Sequence, residues 1–179
     1  MAYNTNLSRS RGRGFEVQVV KRLHALGYQA KKMLLSGGHL AKPYDVIVRP
    51  YRLKIEAKRT MKNHITMQAK WLNKVSDKLI IVFAVGKYGG RGTIEMFALS
   101  PGTMDTVKMT DPIGGAVIMK KAKKIDKEKI LSAPFLILYN KKNYLVEKFE
   151  DYMARKYSLT NKEIIEDVRP TEHGGTITA

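Results

Sequence analysis

The chain has no cysteine, one tryptophan and only 16 acidic residues against 33 lysines and arginines. The absence of cysteine excludes disulfides, zinc–cysteine sites and thiol nucleophiles. The longest apolar run, Leu79 to Val85, is far too short to span a bilayer, and the basic, polar N-terminus lacks the apolar segment of a signal peptide. We therefore expect a cytoplasmic protein with no membrane partner.

The shortage of acids leaves a formal net charge of +17 on 179 residues. That length allows one domain with a real core, or a core plus an extension. So high a positive charge predicts a polyanionic partner, because lysines and arginines that neutralise phosphates release counterions. Nucleic acid is the first interpretation. An anionic membrane surface is the rival, but no strongly amphipathic basic helix supports it.

Two short β-patterned runs, Tyr44 to Val48 and Leu53 to Lys58, predict a hairpin with a four-residue loop. If Val48 pairs with Leu53, the same register sets Asp45 against Glu56. Side chains two apart in a strand share a face, so Lys58 joins the two carboxylates. Two close carboxylates repel each other, and a hard cation such as Mg²⁺ removes that repulsion. A lysine beside such a cation can stabilise the negative charge of a phosphate or activate a water.

The remaining pattern predicts an α/β sandwich around a mixed sheet. Apolar spacing predicts helices at Arg13–Leu26, Ile65–Val75 and Lys142–Tyr157, and strands at Leu79–Val85 and Phe135–Tyr139. We expect the core to be complete by about Leu99. The predicted division is a flexible basic arm at 1–11, a core at 12–100, an extension at 101–157 packed on the core or at a dimer interface, and a flexible tail at 158–179.

Several motifs of this chain together resemble a known family. Pro43-Tyr44-Asp45 followed by Glu56-Ala57-Lys58 resembles the PD-(D/E)xK nuclease superfamily, although the proline lies one residue early. The wider set resembles archaeal-type Holliday junction resolvases, including viral ones. That set adds Gly12-x-Gly14-Phe15-Glu16 at a helix start, Ser36-Gly37-Gly38 after the first strand, and Gln68 after the lysine. The resemblance covers roughly Arg9 to Leu99.

The resemblance implies a restriction-endonuclease-like core, a central mixed β-sheet flanked by helices, in a prokaryotic cell or a virus-infected host. It also implies an Mg²⁺ site, in which Mn²⁺ can substitute, formed by Glu16, Asp45, Glu56 and the Ala57 backbone carbonyl. Lys58 matches the catalytic lysine, Ser36 a loop serine needed for cleavage, and Gln68 a glutamine near the site. We expect DNA contacts from Arg9, Arg11, Arg13, Lys32, Arg59, Lys87 and Arg91.

The predicted function is a metal-dependent endonuclease that resolves four-way DNA junctions by paired nicks. One chain carries one set of site residues, so a homodimer is expected to supply both nicks. Two alternatives stay open: another nuclease of the superfamily acting on duplex DNA, and a non-catalytic basic DNA-binding protein. The lysine-rich segment from Lys120 to Lys129 is equally compatible with phosphate binding and with a solvated surface.

Overall fold

The computed structural model describes residues 5–33, 44–87, 94–103 and 115–157, with side chains from residue 14 onward. Its helices are α1 Thr5–Ala25, α2 Ala69–Lys74, α3 Lys127–Leu131 and α4 Phe149–Lys156. Its strands are β1 Gln29–Lys32, β2 Val46–Arg49, β3 Leu53–Thr60, β4 His64–Gln68, β5 Leu79–Val85, β6 Phe97–Pro101, β7 Val117–Met119, β8 Ala122–Asp126, β9 Phe135–Tyr139 and β10 Lys142–Lys148.

Eight of the described strands form one mixed sheet in the order β1-β2-β3-β5-β6-β10-β9-β7. The pairs β3–β5 and β7–β9 are parallel and the others antiparallel. Strands β4 and β8 pair separately as an antiparallel ribbon. The predicted fold class, α/β with a central mixed sheet flanked by helices, is confirmed.

The predicted hairpin between β2 and β3 is confirmed with its register. Val48 pairs with Leu53 and Val46 with Ile55, and all four side chains are buried. Alternation therefore directs the apolar residues of β3 to one face of the sheet and sends Glu56 and Lys58 to the other. The ladder ends at Val46, so Asp45 lies just before the strand instead of within it.

Two apolar clusters cover the two faces of the sheet. The first contains Phe15, Val19 and Leu23 of α1 and Phe149, Tyr152 and Met153 of α4, packed on β2, β3 and β5. The second contains Ile65 and Met67 of β4, Trp71 and Leu72 of α2, and Ile125 of β8. Strand β5 serves both clusters, with Ile80, Val82 and Ala84 in the first and Ile81 and Phe83 in the second. Its identity as a buried strand was predicted correctly.

The first helix begins earlier than predicted. It starts at Thr5, eight residues before the expected start at Arg13, so residues 5–11 of the expected flexible arm are helical. Phe15 and Val19 pack this helix on the sheet. Once packing has stabilised a helix, each added residue forms one more backbone hydrogen bond and only that residue has to be ordered, so the helix can extend beyond its packed part. The apolar pattern marks only the packed part.

Two predicted helices begin as strands. Residues 64–68 form β4, which pairs with β8, and only Ala69–Lys74 of the predicted Ile65–Val75 helix is helical. Residues 142–148 form β10 between β6 and β9, and the helix follows at Phe149. In both segments a pairing partner distant in sequence overrides the local helical pattern. Strand β9 matches its predicted bounds.

The core does not end at Leu99, contrary to the prediction. Strands β7, β9 and β10 continue the same sheet beyond β6, and α4 packs into the first apolar cluster. Residues 117–157 therefore contribute to the body of the fold. No helix within the described ranges is long and apolar enough to cross a membrane.

Candidate active site

Asp45 is held at the beginning of β2 by two hydrogen bonds to β3. Its backbone N–H donates to the Ile55 carbonyl at 2.8 Å, and its Oδ2 accepts from the Ala57 N–H at 2.7 Å. The hairpin register brings Asp45 to this segment, because Val46, the residue after Asp45, pairs with Ile55, the residue before Glu56. The carboxylate is therefore fixed beside the Glu56-Ala57-Lys58 segment.

Glu56 is a buried carboxylate that forms ion pairs with two lysines. It is 8% exposed, and strand alternation puts it on the same face as Lys58. Lys58 Nζ lies 2.6 Å from Glu56 Oε1, and Lys74 Nζ of α2 lies 3.5 Å from Oε2. Lys58 also lies over the Trp71 ring, 5.7 Å from its centroid. Burial of the carboxylate is thus compensated by charge from two elements.

Glu16 of α1 forms an ion pair with Lys32 of β1. Lys32 Nζ lies 2.9 Å from Glu16 Oε2, and the two side chains are 29% and 12% exposed. Strand β1 pairs with β2, the strand that follows Asp45, so the ion pair lies beside the hairpin. Lys32, predicted as a DNA contact, is therefore engaged with a predicted metal ligand.

The predicted acids interact electrostatically. Burial raises the pKa of the Asp45 carboxyl above its ordinary value, and the charges of Glu16 and Glu56 raise it further. The Ala57 N–H and the Lys58 ammonium oppose these effects. Asp45 thus interacts electrostatically with Glu16, Glu56 and Lys58. Mutual repulsion of this kind is relieved by a proton or by a bound cation.

The donor chemistry of this cluster suits a hard divalent cation, since Asp45, Glu56 and Glu16 offer carboxylate oxygens. Among residues 14–33, 44–87, 94–103 and 115–157, however, no group of three or more acidic or histidine side chains is arranged so that it could hold a metal ion. Glu56 and Glu16 are instead paired with lysine ammonium groups. A cation would have to displace some of these lysines.

Of the other predicted site residues, some lie within the described residues and the rest lie outside them. Gln68 ends β4 directly before α2, and no hydrogen bond joins it to Asp45, Glu56 or Lys58 in the described ranges. Arg59 reaches the Gly86 carbonyl at 3.4 Å and lies over the Phe15 ring. Lys87 is exposed after β5. Ser36 and Arg91, and the side chains of Arg9, Arg11 and Arg13, lie outside what the structure describes.

Sequence reasoning missed Lys74 and Trp71. Both lie on α2, whose residues reach the Glu56 face of the sheet because α2 lies in the crossover between β3 and β5. The only available signal was the single tryptophan three residues before a lysine in the segment after the hairpin. Such a signal does not specify a contact with Glu56.

Comparisons with known proteins add a distant structural likeness. No family model matches the sequence, and no curated protein matches it. Among solved structures, the chain is similar to a Holliday junction resolvase from Archaeoglobus fulgidus, an archaeal hyperthermophile, with 16% identity and a TM-score of 0.35. The match covers 62% of this chain and 87% of that chain. A likeness of this size supports no inference about activity.

Proposed function

We propose that this protein is a metal-dependent DNA endonuclease that resolves four-way junctions as a homodimer. The observation that carries the proposal is the cluster of Asp45, Glu56 and Lys58, held in register by one hairpin. A strongly basic chain that buries carboxylates beside lysines has a use for them other than binding phosphate, since a carboxylate facing DNA weakens binding. Phosphodiester hydrolysis is such a use.

In this proposal Asp45, Glu56, Glu16 and the Ala57 carbonyl would hold Mg²⁺. When bound, that ion supplies charge neutralisation at the phosphate and activation of a water. Lys58 has a separate role. Its ammonium group lies beside Glu56 and over the Trp71 ring, and in a metal-bound site it would position the attacking water or offset charge that develops on the phosphoryl oxygens.

Asp45 is positioned for its role by its backbone contact. The Ala57 N–H donates to Oδ2, which leaves Oδ1 as the oxygen free of this bond. Burial and the neighbouring acids raise its pKa, so ionised Asp45 is energetically costly in the absence of a compensating cation. That cost favours cation binding at this carboxylate over binding at an isolated surface acid.

A non-catalytic DNA-binding protein is the second candidate. The observation that favours it is the pairing of Glu16 and Glu56 with lysines, which leaves no ready-made metal-holding group in the described part of the chain. The two candidates differ in whether the acids matter for cleavage. A duplex nuclease of the same superfamily differs only in its substrate.

The test is cleavage of a labelled immobile four-way junction with Mg²⁺, beside linear duplex made from the same arms. We expect paired nicks in the junction, no cutting by Glu56→Gln or Asp45→Asn, and junction binding by both variants at least equal to that of the wild type. Asp151→Asn is the matched control, because Asp151 is an exposed acid in the first turn of α4. It should cut normally.

Each other result points to one alternative. Equal cutting of duplex and junction would favour the duplex nuclease. Binding without cutting, with Mg²⁺ or Mn²⁺, would favour the non-catalytic protein. Wild-type cutting by Glu56→Gln would show that the site is misassigned. Normal cleavage by Ser36→Ala would separately contradict the role that the family resemblance gives to the loop serine.

A further inference from the structure

The ribbon formed by β4 and β8 packs on the same face of the sheet as Glu56. Ile65 and Met67 of β4 and Ile125 of β8 are buried in the second apolar cluster, together with Trp71 of α2. The ribbon is therefore a fixed part of the fold. Its two strands run antiparallel from His64 opposite Asp126 to Gln68 opposite Ala122.

The ribbon is joined directly to the candidate active site. The Ala69 N–H, at the start of α2, donates to the Lys121 carbonyl at 2.9 Å, at the end of the ribbon. The same helix carries Trp71, under the Lys58 ammonium, and Lys74, which pairs with Glu56. The short helix α2, of 6 residues, thus connects Lys121 with Glu56 and Lys58.

Strand β8 and the two residues directly before it carry a cluster of exposed positive charge. Lys120, Lys121, Lys123 and Lys124 are all exposed. In the described part of the chain their one ion pair is Lys124 with Asp126, at 4.0 Å, with side chains 63% and 72% exposed. A pair so open to solvent neutralises little. We call these four residues the lysine ribbon.

The dimensions of the lysine ribbon fit a nucleic acid backbone. Lys123 and Lys124 lie in β8 and the other two lysines directly before it, so the five residues 120–124 span at most about 17 Å, at about 3.4 Å per residue. One strand of DNA carries one phosphate per about 3.4 Å of helix axis, so that length covers about five phosphates. Lysine ammonium groups are flexible point charges, which suit phosphates and carry no base specificity.

We propose that the lysine ribbon binds the phosphate backbone of the DNA arm that leaves the active site. This inference rests on the proposed function for the position of the cut, but not for the binding itself. Strand β8 lies in the segment 101–157 that the sequence predicts to be an extension, and the sequence alone is equally compatible with phosphate binding and with a solvated surface for its lysines. Its attachment to α2 and its place on the Glu56 face favour phosphate binding over a merely solvated surface.

The experiment measures DNA affinity against salt, with Ca²⁺ in place of Mg²⁺ so that the DNA stays uncut. The test variant is Lys120→Gln/Lys121→Gln/Lys123→Gln/Lys124→Gln, which keeps most of each side-chain stem. The matched control removes four other exposed lysines of the same chain by Lys21→Gln, Lys141→Gln, Lys142→Gln and Lys148→Gln. Circular dichroism and unfolding temperature confirm that each variant is folded.

We expect the slope of log affinity against log salt to fall by about 0.9 for each phosphate that the variant no longer neutralises. Between 50 and 200 mM salt, the wild type should therefore lose about 12-fold more affinity than the test variant if two lysines bind phosphate, and about 150-fold more if all four do. The slope of the control should stay within about 0.9 of the wild-type slope.

The outcomes separate this inference from the proposed function. Equal slopes for the wild type and the test variant would overturn the inference, whether or not the wild type cuts junctions. A reduced slope in a protein that cuts no DNA would support the inference and refute the nuclease. No DNA binding by the wild type would overturn both, and so would charge-dependent binding to phosphatidylserine vesicles with no DNA affinity.

Discussion

Replacing Lys58 by methionine separates catalysis from DNA binding. Lys58 Nζ lies 2.6 Å from Glu56 and over the Trp71 ring, so it is a preorganised positive charge within the acid cluster. Loss of one such group that stabilises developing charge costs about 10²–10³-fold in rate, or about 3–4 kcal/mol. We expect the single-turnover cleavage rate to fall by that factor.

The same substitution should change DNA affinity little. Lys58 is one of 33 basic residues, and removal of a single phosphate-binding lysine lowers the salt slope by at most about 0.9. Stability should fall, because the Glu56 side chain, 10% exposed, loses a charge-assisted hydrogen bond, at a cost of about 1.5–3 kcal/mol. The loss of stability should lie near the lower end of this range, because Lys74, 3.5 Å from Glu56 and 46% exposed, still pairs with the carboxylate.

The control is Lys54→Met. Lys54 precedes Lys58 on the same face of β3 but lies over the Tyr44 ring, and it should keep wild-type cleavage. Single-turnover cleavage, binding in Ca²⁺ and urea unfolding are measured for both variants. The reasoning is refuted if the affinity loss of Lys58→Met accounts for its whole rate loss, or if Lys54→Met loses as much activity.

Three further predictions concern Asp45, the N-terminal arginines and assembly. The raised pKa of Asp45 means that its ionised form destabilises the fold; the penalty is absent below the ordinary aspartate pKa and full above the raised one. Asp45→Asn should therefore raise the unfolding temperature at pH 7 and lose this advantage in acid; a difference independent of pH would contradict it. Arg9→Gln/Arg11→Gln/Arg13→Gln should lower the salt slope by up to about 2.7 without affecting metal binding, and an unchanged slope would remove them from the DNA surface. Light scattering should give about twice the 20.3 kDa chain mass, and mixed dimers with Glu56→Gln should nick one strand only; a monomer that cuts both strands in one encounter would exclude the dimer.

The hairpin was predictable because its information is local. Val46, Val48, Leu53 and Ile55 recur at every second position of their strands, with Ile47 as the one apolar residue between them, and only one register buries all four across a short loop. That register also put Asp45 beside the Glu56 segment. Asp45 and Glu56 could therefore be placed together before any tertiary contact was known, whereas Glu16 was named only through the family resemblance. Their catalytic roles remain predictions.

The errors have the opposite cause. Ile65 and Met67 are spaced for a strand, but the segment around them also fits a helical period, and the deciding partner, β8, begins at Ala122. Strand β10 is buried from Tyr144 to Glu147 between β6 and β9, so no alternation shows there. Strand β4 pairs with a distant strand, and β10 has the distant partner β6 besides its local hairpin partner β9; a single sequence contains little trace of such non-local pairing.

The same distinction applies within the site. Its acids come from α1, from the start of β2 and from β3, whereas their cationic partners come from β1, β3 and α2: Lys32, Lys58 and Lys74. Sequence patterns identified the acids but not two of these three pairings, because the pairings depend on how the elements pack. Three lysines against three acids leave the cluster nearly neutral without a metal. A cation that binds the carboxylates would release ammonium groups where, in the proposed nuclease, the phosphate would bind. Metal binding and substrate binding should therefore be cooperative, and Ca²⁺ should increase junction affinity less in Lys58→Met than in the wild type.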